Sequence, residues 1–209
     1  NNLKCPKSKF SPLEHNCSGK HAAFLATCKK MNWPLESYLK GNHPLQVEIF
    51  RIISELLEIP TSEINAERDD CGAPTLYLKL LEMSKLYSLL SSSENAELEQ
   101  ISRAIIINPI MISDNNKFDT EIIKASHGQV IGKGGAEGIQ CLCKINEGIG
   151  LALKVEDGSK RAKHAVSLHL LKQLEWISDL RIQDIEEKVF NFSEGVRIEV
   201  KGQLKFQES

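Results

Sequence analysis

The order of helical and strand-like segments along the chain predicts an α+β fold. Apolar residues recur at helical spacing through much of the first 107 residues, for example over 44–57. Two apolar runs, 139–145 and 149–156, then flank Asn146-Glu147-Gly148, a sequence typical of a hairpin turn. A further helical pattern begins at Lys160. Several helices, an antiparallel β unit and another helix together indicate an α+β arrangement.

Three prolines mark the starts of predicted helices, because proline suits the first helical turn. They are Pro34, Pro44 and Pro74. An earlier helix is predicted to begin at Cys17, after an extended loop over 1–16. The predicted helices of this part of the chain cover 17–31, 34–40, 44–57, 74–90, 96–107 and 119–125.

The remaining segments are predicted from their alternation and their glycines. Residues 64–72 look irregular or briefly extended, and 129–135 read as a strand that ends in a glycine-rich turn. A helix is expected over 160–176. A weaker helix over 179–187 and a strand over 196–202 close the chain.

The composition is that of a globular protein without affinity for nucleic acid or membranes. The 209 residues suit one domain, and the net charge is only −2. No apolar run approaches a membrane span, and no secretory signal is recognised. Six cysteines do not make a dense disulfide framework. Cys141 and Cys143 have the spacing of core residues on one face of a strand. We therefore expect the protein to be located in the reducing cytoplasm. The chain does not begin with Met, and we expect it to be part of a longer protein.

Two short segments, 15–21 and 69–75, each place a cysteine among small and charged residues. Cys17 and Lys20 are three residues apart, so on a helix they share one face. Two thiolates and a third ligand would suit zinc, and Cys71 supplies the second thiol. Lysine is an unusual ligand, because it must first lose its proton. The alternative from the residues alone is two buried cysteines beside a solvated lysine.

Both cysteines are predicted to lie at helix N-termini. If Asn16 or Ser18 caps the first helix, Cys17 lies in its first turn, and Cys71 would precede the helix that Pro74 opens. The positive end of a helix dipole favours the thiolate form at such positions.

Other residues of these segments have open roles. Asp69 and Asp70 are adjacent, so at most one is expected to reach the same pocket as Cys71, and an exposed acidic turn is the alternative. His15 and His21 flank the first cysteine and are expected to support the site without being ligands.

A lysine at a strand end and a histidine before a helix complete the candidate residues. Lys133 precedes Gly134 and Gly135, so its cation can project into a cleft where a substrate approaches the backbone closely. A glycine-rich hairpin with a solvated lysine is the alternative. His43 precedes Pro44 and can orient a substrate or cap the helix.

Five motifs in this order resemble the asparaginase II family over residues 12–175. The motifs are Cys17-Ser18-Gly19-Lys20-His21, Tyr38 with His43-Pro44-Leu45-Gln46, Asp69 with Cys71-Gly72-Ala73-Pro74-Thr75, Lys133 with Gly134-Gly135-Ala136-Glu137-Gly138, and Gly150-Leu151-Ala152-Leu153-Lys154 with Asp157-Gly158.

The resemblance implies a serine β-lactamase/glutaminase-like fold and hydrolysis of L-asparagine through a serine acyl-enzyme. It implies a zinc ion at Cys17, Lys20 and Cys71 that positions the substrate. It also suggests that Lys133 is the catalytic lysine of the Lys-[Ser/Thr]-Gly strand.

The substrate-binding residues that we assign are His43, Asp69, Gly134 and Gly135. L-asparagine is the expected small-molecule partner, nucleic acid and membranes are not expected, and a homodimer is allowed for.

Two features depart from the family pattern. The family usually has glycine where this chain has Asp70, and aspartate tolerates a left-handed conformation at some cost. We also find no Ser-x-x-Lys at a place that suits the nucleophile. We therefore expect a single-domain fragment that lacks the N-terminal strands and the serine-bearing helix, and that is inactive alone. An inactive zinc-binding fragment and a related amide hydrolase such as a glutaminase are the alternatives.

Overall fold

The computed structural model describes residues 11–190, 195 and 197–205, and the chain divides into two compact units. The first unit comprises residues 1–78 and the second residues 79–209. Helices and a small antiparallel sheet occur in each unit, so the predicted α+β class is confirmed.

The first unit contains two α-helices and one hairpin among its described residues. Its elements are α1 (Ser18–Lys30), α2 (Pro44–Leu57), β1 (Ala66–Arg68) and β2 (Pro74–Leu76), with 3-10 turns at Pro12–Glu14 and Thr61–Glu63. Helix α2 begins where predicted, because Pro44 occupies its first turn and the Nδ1 atom of His43 accepts a hydrogen bond from the Leu45 N–H at 3.1 Å.

Two helices predicted from proline are wrong. Residues 34–40 form turns. Pro74 begins β2 and pairs with Arg68 of β1, so the predicted helix 74–90 is replaced by a strand and, from Leu80, a shorter helix. The reason is the preceding turn, which folds the chain back onto β1, and proline is tolerated at the first residue of a strand.

Among its described residues, the second unit places six helices around a three-stranded sheet. Its elements are α3 (Leu80–Ser91), α4 (Ala96–Ile107), α5 (Ile110–Ser113), α6 (Phe118–Ala125), β3 (Val130–Gly134), β4 (Ile139–Lys144), β5 (Ile149–Lys154), α7 (Lys160–Gln173) and α8 (Asp179–Val189). The strand order is β3-β4-β5 and both pairings are antiparallel, which confirms the predicted hairpin and the strand before it. The short helix α5 was not predicted.

The core of the second unit lies between the sheet and the helices α6, α7 and α8. Its buried residues are Phe118, Ile122, Val130, Leu142, Leu168, Leu171, Trp176, Ile177, Ile182 and Ile185. Cys141 and Cys143 are both buried in β4, as predicted for a strand pair that packs in the core.

The predicted strand 196–202 is wrong over its described residues, 197–202, which form no strand. Side chains of α7 hold this segment instead: the Nε2 atom of Gln173 donates to the Gly202 carbonyl at 2.8 Å. Residues 1–10 and 196 lie outside the described residues. Among those described, no helix has the length and apolar character that crossing a bilayer requires.

Candidate functional site

Cys17 lies immediately before the first residue of α1. It is itself the N-cap residue, without a side-chain capping bond, so the predicted caps at Asn16 or Ser18 are wrong. The Cys17 N–H donates to Nδ1 of His15 at 3.1 Å, and this bond holds the imidazole beside the start of the helix.

Cys71 lies in the β1–β2 hairpin turn and not at a helix N-terminus, which corrects the second helix-start prediction. The Asp69 carboxylate organises this turn: Oδ1 accepts from the Cys71 N–H at 2.9 Å and from the Ala73 N–H at 3.0 Å. Gly72 follows with φ 77°, a left-handed conformation that glycine adopts without strain. The thiol is therefore positioned by an aspartate-capped turn.

The two segments converge into one cluster of possible metal donors. A ring nitrogen of His15 and the sulfur atoms of Cys17 and Cys71 lie within 4.8 Å of one another. Imidazole and thiolate are donors that zinc favours, so this donor set can hold a metal ion. A hydrogen bond with Cys17 is the main cause that raises the pKa of the Cys71 thiol. Metal binding here would therefore release protons.

Lys20 faces the same cluster from α1 and pairs with Asp69. Its Nζ donates to Oδ2 of Asp69. Burial lowers the pKa of Lys20, but the hydrogen bond and charge of Asp69 outweigh it and leave the pKa above its ordinary value. Burial raises the pKa of Asp69, whereas Lys20 and the two backbone N–H groups lower it, and the balance is a lowered pKa. Lys20 is thus a cation in this arrangement, and its predicted role as a metal ligand stays a prediction.

Asp70 is exposed, and only Asp69 of the adjacent pair reaches the cysteines, as predicted. Asp70 is not among the described residues with positive φ. The departure from the family glycine therefore introduces no left-handed strain at this position.

Two further histidines, His43 and His21, have structural partners. His43 is buried, and its Nε2 lies 2.9 Å from the Pro34 carbonyl while Nδ1 caps α2, which confirms the capping alternative. Its role in substrate binding stays a prediction. The Nδ1 atom of His21 lies 2.8 Å from the Tyr38 hydroxyl, so His21 points to a different partner from His15.

The sequence does contain one Ser-x-x-Lys, from Ser37 to Lys40. The structure places it in the turns between α1 and α2, where the Lys40 N–H donates to the Ser37 carbonyl at 2.9 Å. The two side chains are therefore not presented by a helix face, as a serine and lysine three residues apart would be on a helix.

Lys133, Gly134 and Gly135 lie at the end of β3 in the second unit, as predicted. Lys133 is exposed, and its Nζ donates to the Gly134 carbonyl at 2.6 Å. The Gly134 N–H donates to Oδ2 of Asp119 at 2.9 Å, and the Gly135 carbonyl accepts from Nζ of Lys163 at 3.0 Å. Buried charged groups therefore hold the glycines from the core side.

A family model described as L-asparaginase II matches residues 1–206 of the 209-residue chain. The chain belongs to the L-asparaginase II family. The assignment made from the five motifs is thereby confirmed. Membership suggests an asparaginase-like amide hydrolase that acts on a small-molecule substrate. Among curated proteins the comparison finds no match.

Two features of this asparaginase II chain were missed in its sequence. The sequence does not predict His15 as a ligand, although the spacing His-x-Cys before a helix is compatible with ligation. For the polar residues Asp119, Gln140 and Lys163, the sequence predicts only that they belong to a helix, a strand and another helix. No local pattern marks them, because their burial depends on how α6, β4 and α7 pack together.

Proposed function

We propose that this protein is an L-asparaginase that hydrolyses L-asparagine to L-aspartate and ammonia through a serine acyl-enzyme. The observation that carries the proposal is the convergence of the family's cysteine and aspartate motifs: Cys17, Cys71, Lys20 and Asp69 meet in one place. The proposed fold is serine β-lactamase/glutaminase-like, for which the α+β order of elements gives support. The described cysteines are free, which supports the proposed cytoplasmic location.

Zinc is the proposed cofactor, held by Cys17 and Cys71 with Lys20 as the third donor. His15 is a further candidate donor, because its ring lies within reach of both sulfurs. Binding through Lys20 requires the amine to leave Asp69 and lose its proton. A neutral imidazole has no such net proton to lose, although binding through His15 would break its hydrogen bond with the Cys17 N–H or require the other tautomer. Bound zinc would supply a fixed positive centre that positions the substrate.

Lys133 is the proposed catalytic lysine, and its Nζ is the atom that would hold or transfer a proton. It is exposed at the end of β3, and the only hydrogen bond described for its side chain is to the carbonyl of the next residue. Breaking that bond leaves the side chain free to turn toward a substrate.

Gly134 and Gly135 are proposed to assist substrate binding by their lack of side chains. Their N–H groups are already used, since Gly134 donates to Asp119 and Gly135 donates to the Ile139 carbonyl at 2.9 Å. The two glycines would therefore let the substrate approach the backbone closely, but they would not donate hydrogen bonds to it. His43 and Asp69 are proposed to orient the substrate through the elements that they cap.

A catalytically inactive zinc-binding protein is the second candidate. It is favoured by the position of Ser37 and Lys40 in a turn, which leaves no helical Ser-x-x-Lys among the described residues.

Ammonia release from L-asparagine and L-glutamine by the full-length gene product separates these functions. We expect L-asparagine to be hydrolysed, and Lys133→Ala to lower kcat at least about 100-fold, because a proton-transfer group is lost. Lys144→Ala is the matched control, since Lys144 ends the neighbouring strand β4. Unchanged rates in Lys133→Ala would remove this lysine from the mechanism, and zinc binding without hydrolysis of either amide would favour the second candidate.

A further inference from the structure

A buried polar cluster lies behind the glycines that follow Lys133. It consists of Asp119 from α6, Gln140 from β4 and Lys163 from α7, which are only 5%, 0% and 4% exposed. We refer to these three residues as the Asp119–Gln140–Lys163 cluster. A buried carboxylate, amide and amine are costly to desolvate, so each needs hydrogen-bond partners in the core.

The partners of the cluster are mostly backbone atoms of the turn between β3 and β4. The Asp119 carboxylate accepts from the Gly134 N–H at 2.9 Å and from Nε2 of Gln140 at 2.8 Å. The Lys163 ammonium donates to the carbonyls of Gly135 and Ile139, both at 3.0 Å. The turn is thus held at both ends by charged side chains, which make stronger hydrogen bonds than neutral ones.

Gly134 has no room for a side chain because the cluster closes on it. A Cβ atom there would lie 2.7 Å from Nζ of Lys163, 3.1 Å from Oε1 of Gln140 and 3.5 Å from Oδ2 of Asp119. The Oε1 atom of Gln140 is buried and accepts no hydrogen bond within the described structure. Three polar atoms therefore converge on the position that a side chain of Gly134 would occupy.

Among the described residues, no carboxylate forms a direct contact that neutralises the charge of Lys163, since its two hydrogen bonds go to carbonyl oxygens. Burial lowers the pKa of Lys163, the Asp119 carboxylate opposes this, and the nearby Lys133 cation lowers it further. Lys133 and the cluster are thus close enough to interact electrostatically as well as through the backbone.

We propose that the Asp119–Gln140–Lys163 cluster positions Lys133 by fixing the backbone of Gly134 and Gly135. These are positioning residues, because they act on the candidate catalytic lysine through the turn. An apolar cluster of similar volume would pack as well without the desolvation of two charges, so stability alone does not account for these groups. The inference rests on the proposed role of Lys133 in the hydrolysis of L-asparagine.

The direct test compares two substitutions of Lys163 in the full-length gene product. Lys163→Met removes both hydrogen bonds and the charge but keeps the length, whereas Lys163→Gln keeps an N–H donor. Lys160→Met is the matched control, because Lys160 is exposed one turn earlier on α7. We expect kcat per folded molecule to fall about tenfold in Lys163→Met, with partial recovery in Lys163→Gln and no change in Lys160→Met.

A double-mutant cycle with Lys133 separates positioning from a structural role. If the cluster acts through Lys133, Lys163→Met has no further effect on kcat in the Lys133→Ala background. A tenfold loss in both backgrounds, or an unchanged kcat in Lys163→Met, would overturn the inference.

Amide hydrogen exchange tests the same inference without activity. The Gly134 N–H is expected to exchange at least ten times faster in Asp119→Ala and in Lys163→Met than in the wild type. Asp119→Asn is expected to retain protection, because the buried Gln140 amide can turn and offer its free Oε1 to the new N–H₂ group. Unchanged exchange in Asp119→Ala would contradict the proposed fixing of the turn. If the wild type hydrolyses no amide, the proposed function fails, and hydrogen exchange alone decides the positioning role.

Discussion

Replacing Gly134 by alanine is expected to destabilise the second unit through Lys163. The new methyl group would lie 2.7 Å from Nζ of Lys163, so the ammonium must move away from the carbonyls of Gly135 and Ile139. Loss of one hydrogen bond of a charged donor costs about 1.5–3 kcal/mol. Alanine also lowers the conformational entropy of the unfolded chain, which stabilises the folded protein by about 0.4–1 kcal/mol. This gain applies here because φ at Gly134 is not positive, so alanine can adopt the same backbone conformation. We therefore expect the free energy of unfolding to fall by about 1–2 kcal/mol.

Urea unfolding measures this effect when it is followed by the fluorescence of Trp176, which lies in the core of the second unit. The same substitution in a Lys163→Ala background is the control, since the ammonium that causes the clash is gone. We expect less than about 0.5 kcal/mol of destabilisation there. An equal loss in both backgrounds, or a loss below about 0.5 kcal/mol in the wild-type background, would refute the account of this contact.

Three further predictions concern the metal cluster and the half-buried His164. Elemental analysis of the purified protein should find about one bound zinc ion, and the double variant Cys17→Ala/Cys71→Ala should bind none. The control Cys28→Ala, in α1, should retain the ion. Zinc kept by the double variant would rule out this site. His15→Ala should lower zinc affinity at least about tenfold in a competition assay with a chelator, whereas His21→Ala should change it less than about twofold. If the affinity is unchanged in Lys20→Met, His15 is the third ligand. If it is unchanged in His15→Ala, Lys20 is the third ligand. Burial lowers the pKa of His164 to about 4, so its contribution to stability is present above the unfolded value of 6.5 and is lost as the pH falls toward about 4. Between pH 7 and 4.5 the urea midpoint should therefore drop less in His164→Phe, which keeps the stacking on Phe118, than in the wild type. An equal drop in the two proteins would contradict the lowered pKa of His164.

Local signals predicted the elements that depend on neighbouring residues. Pro44 with His43 gave the start of α2 correctly, because the cap and the first turn lie within three residues. The helical pattern over 17–31 predicted α1, which the structure places at Ser18–Lys30, because such a pattern depends on residues within a few turns.

The same proline signal failed at Pro74, because the deciding interactions are not local to it. The turn from Asp69 to Ala73 and the pairing of β2 with β1 determine its conformation. Burial of Lys163 also escaped prediction, since a lysine in a helix is normally read as exposed. Its partners are carbonyls of the β3–β4 turn, which lie 24 and 28 residues earlier in the chain.

The hairpin changes the electrostatic argument for Cys71. A helix N-terminus would have favoured its thiolate, but a turn supplies no such dipole. The hydrogen bond between Cys71 and Cys17 raises the pKa of Cys71 instead, and only the Lys20 cation opposes this. Asp69 in turn neutralises Lys20 and holds the Cys71 N–H, so one carboxylate both places this thiol and weakens the cation beside it. Without a metal Cys71 is therefore stabilised as the thiol, and a divalent ion is the group best able to bring it to the thiolate form.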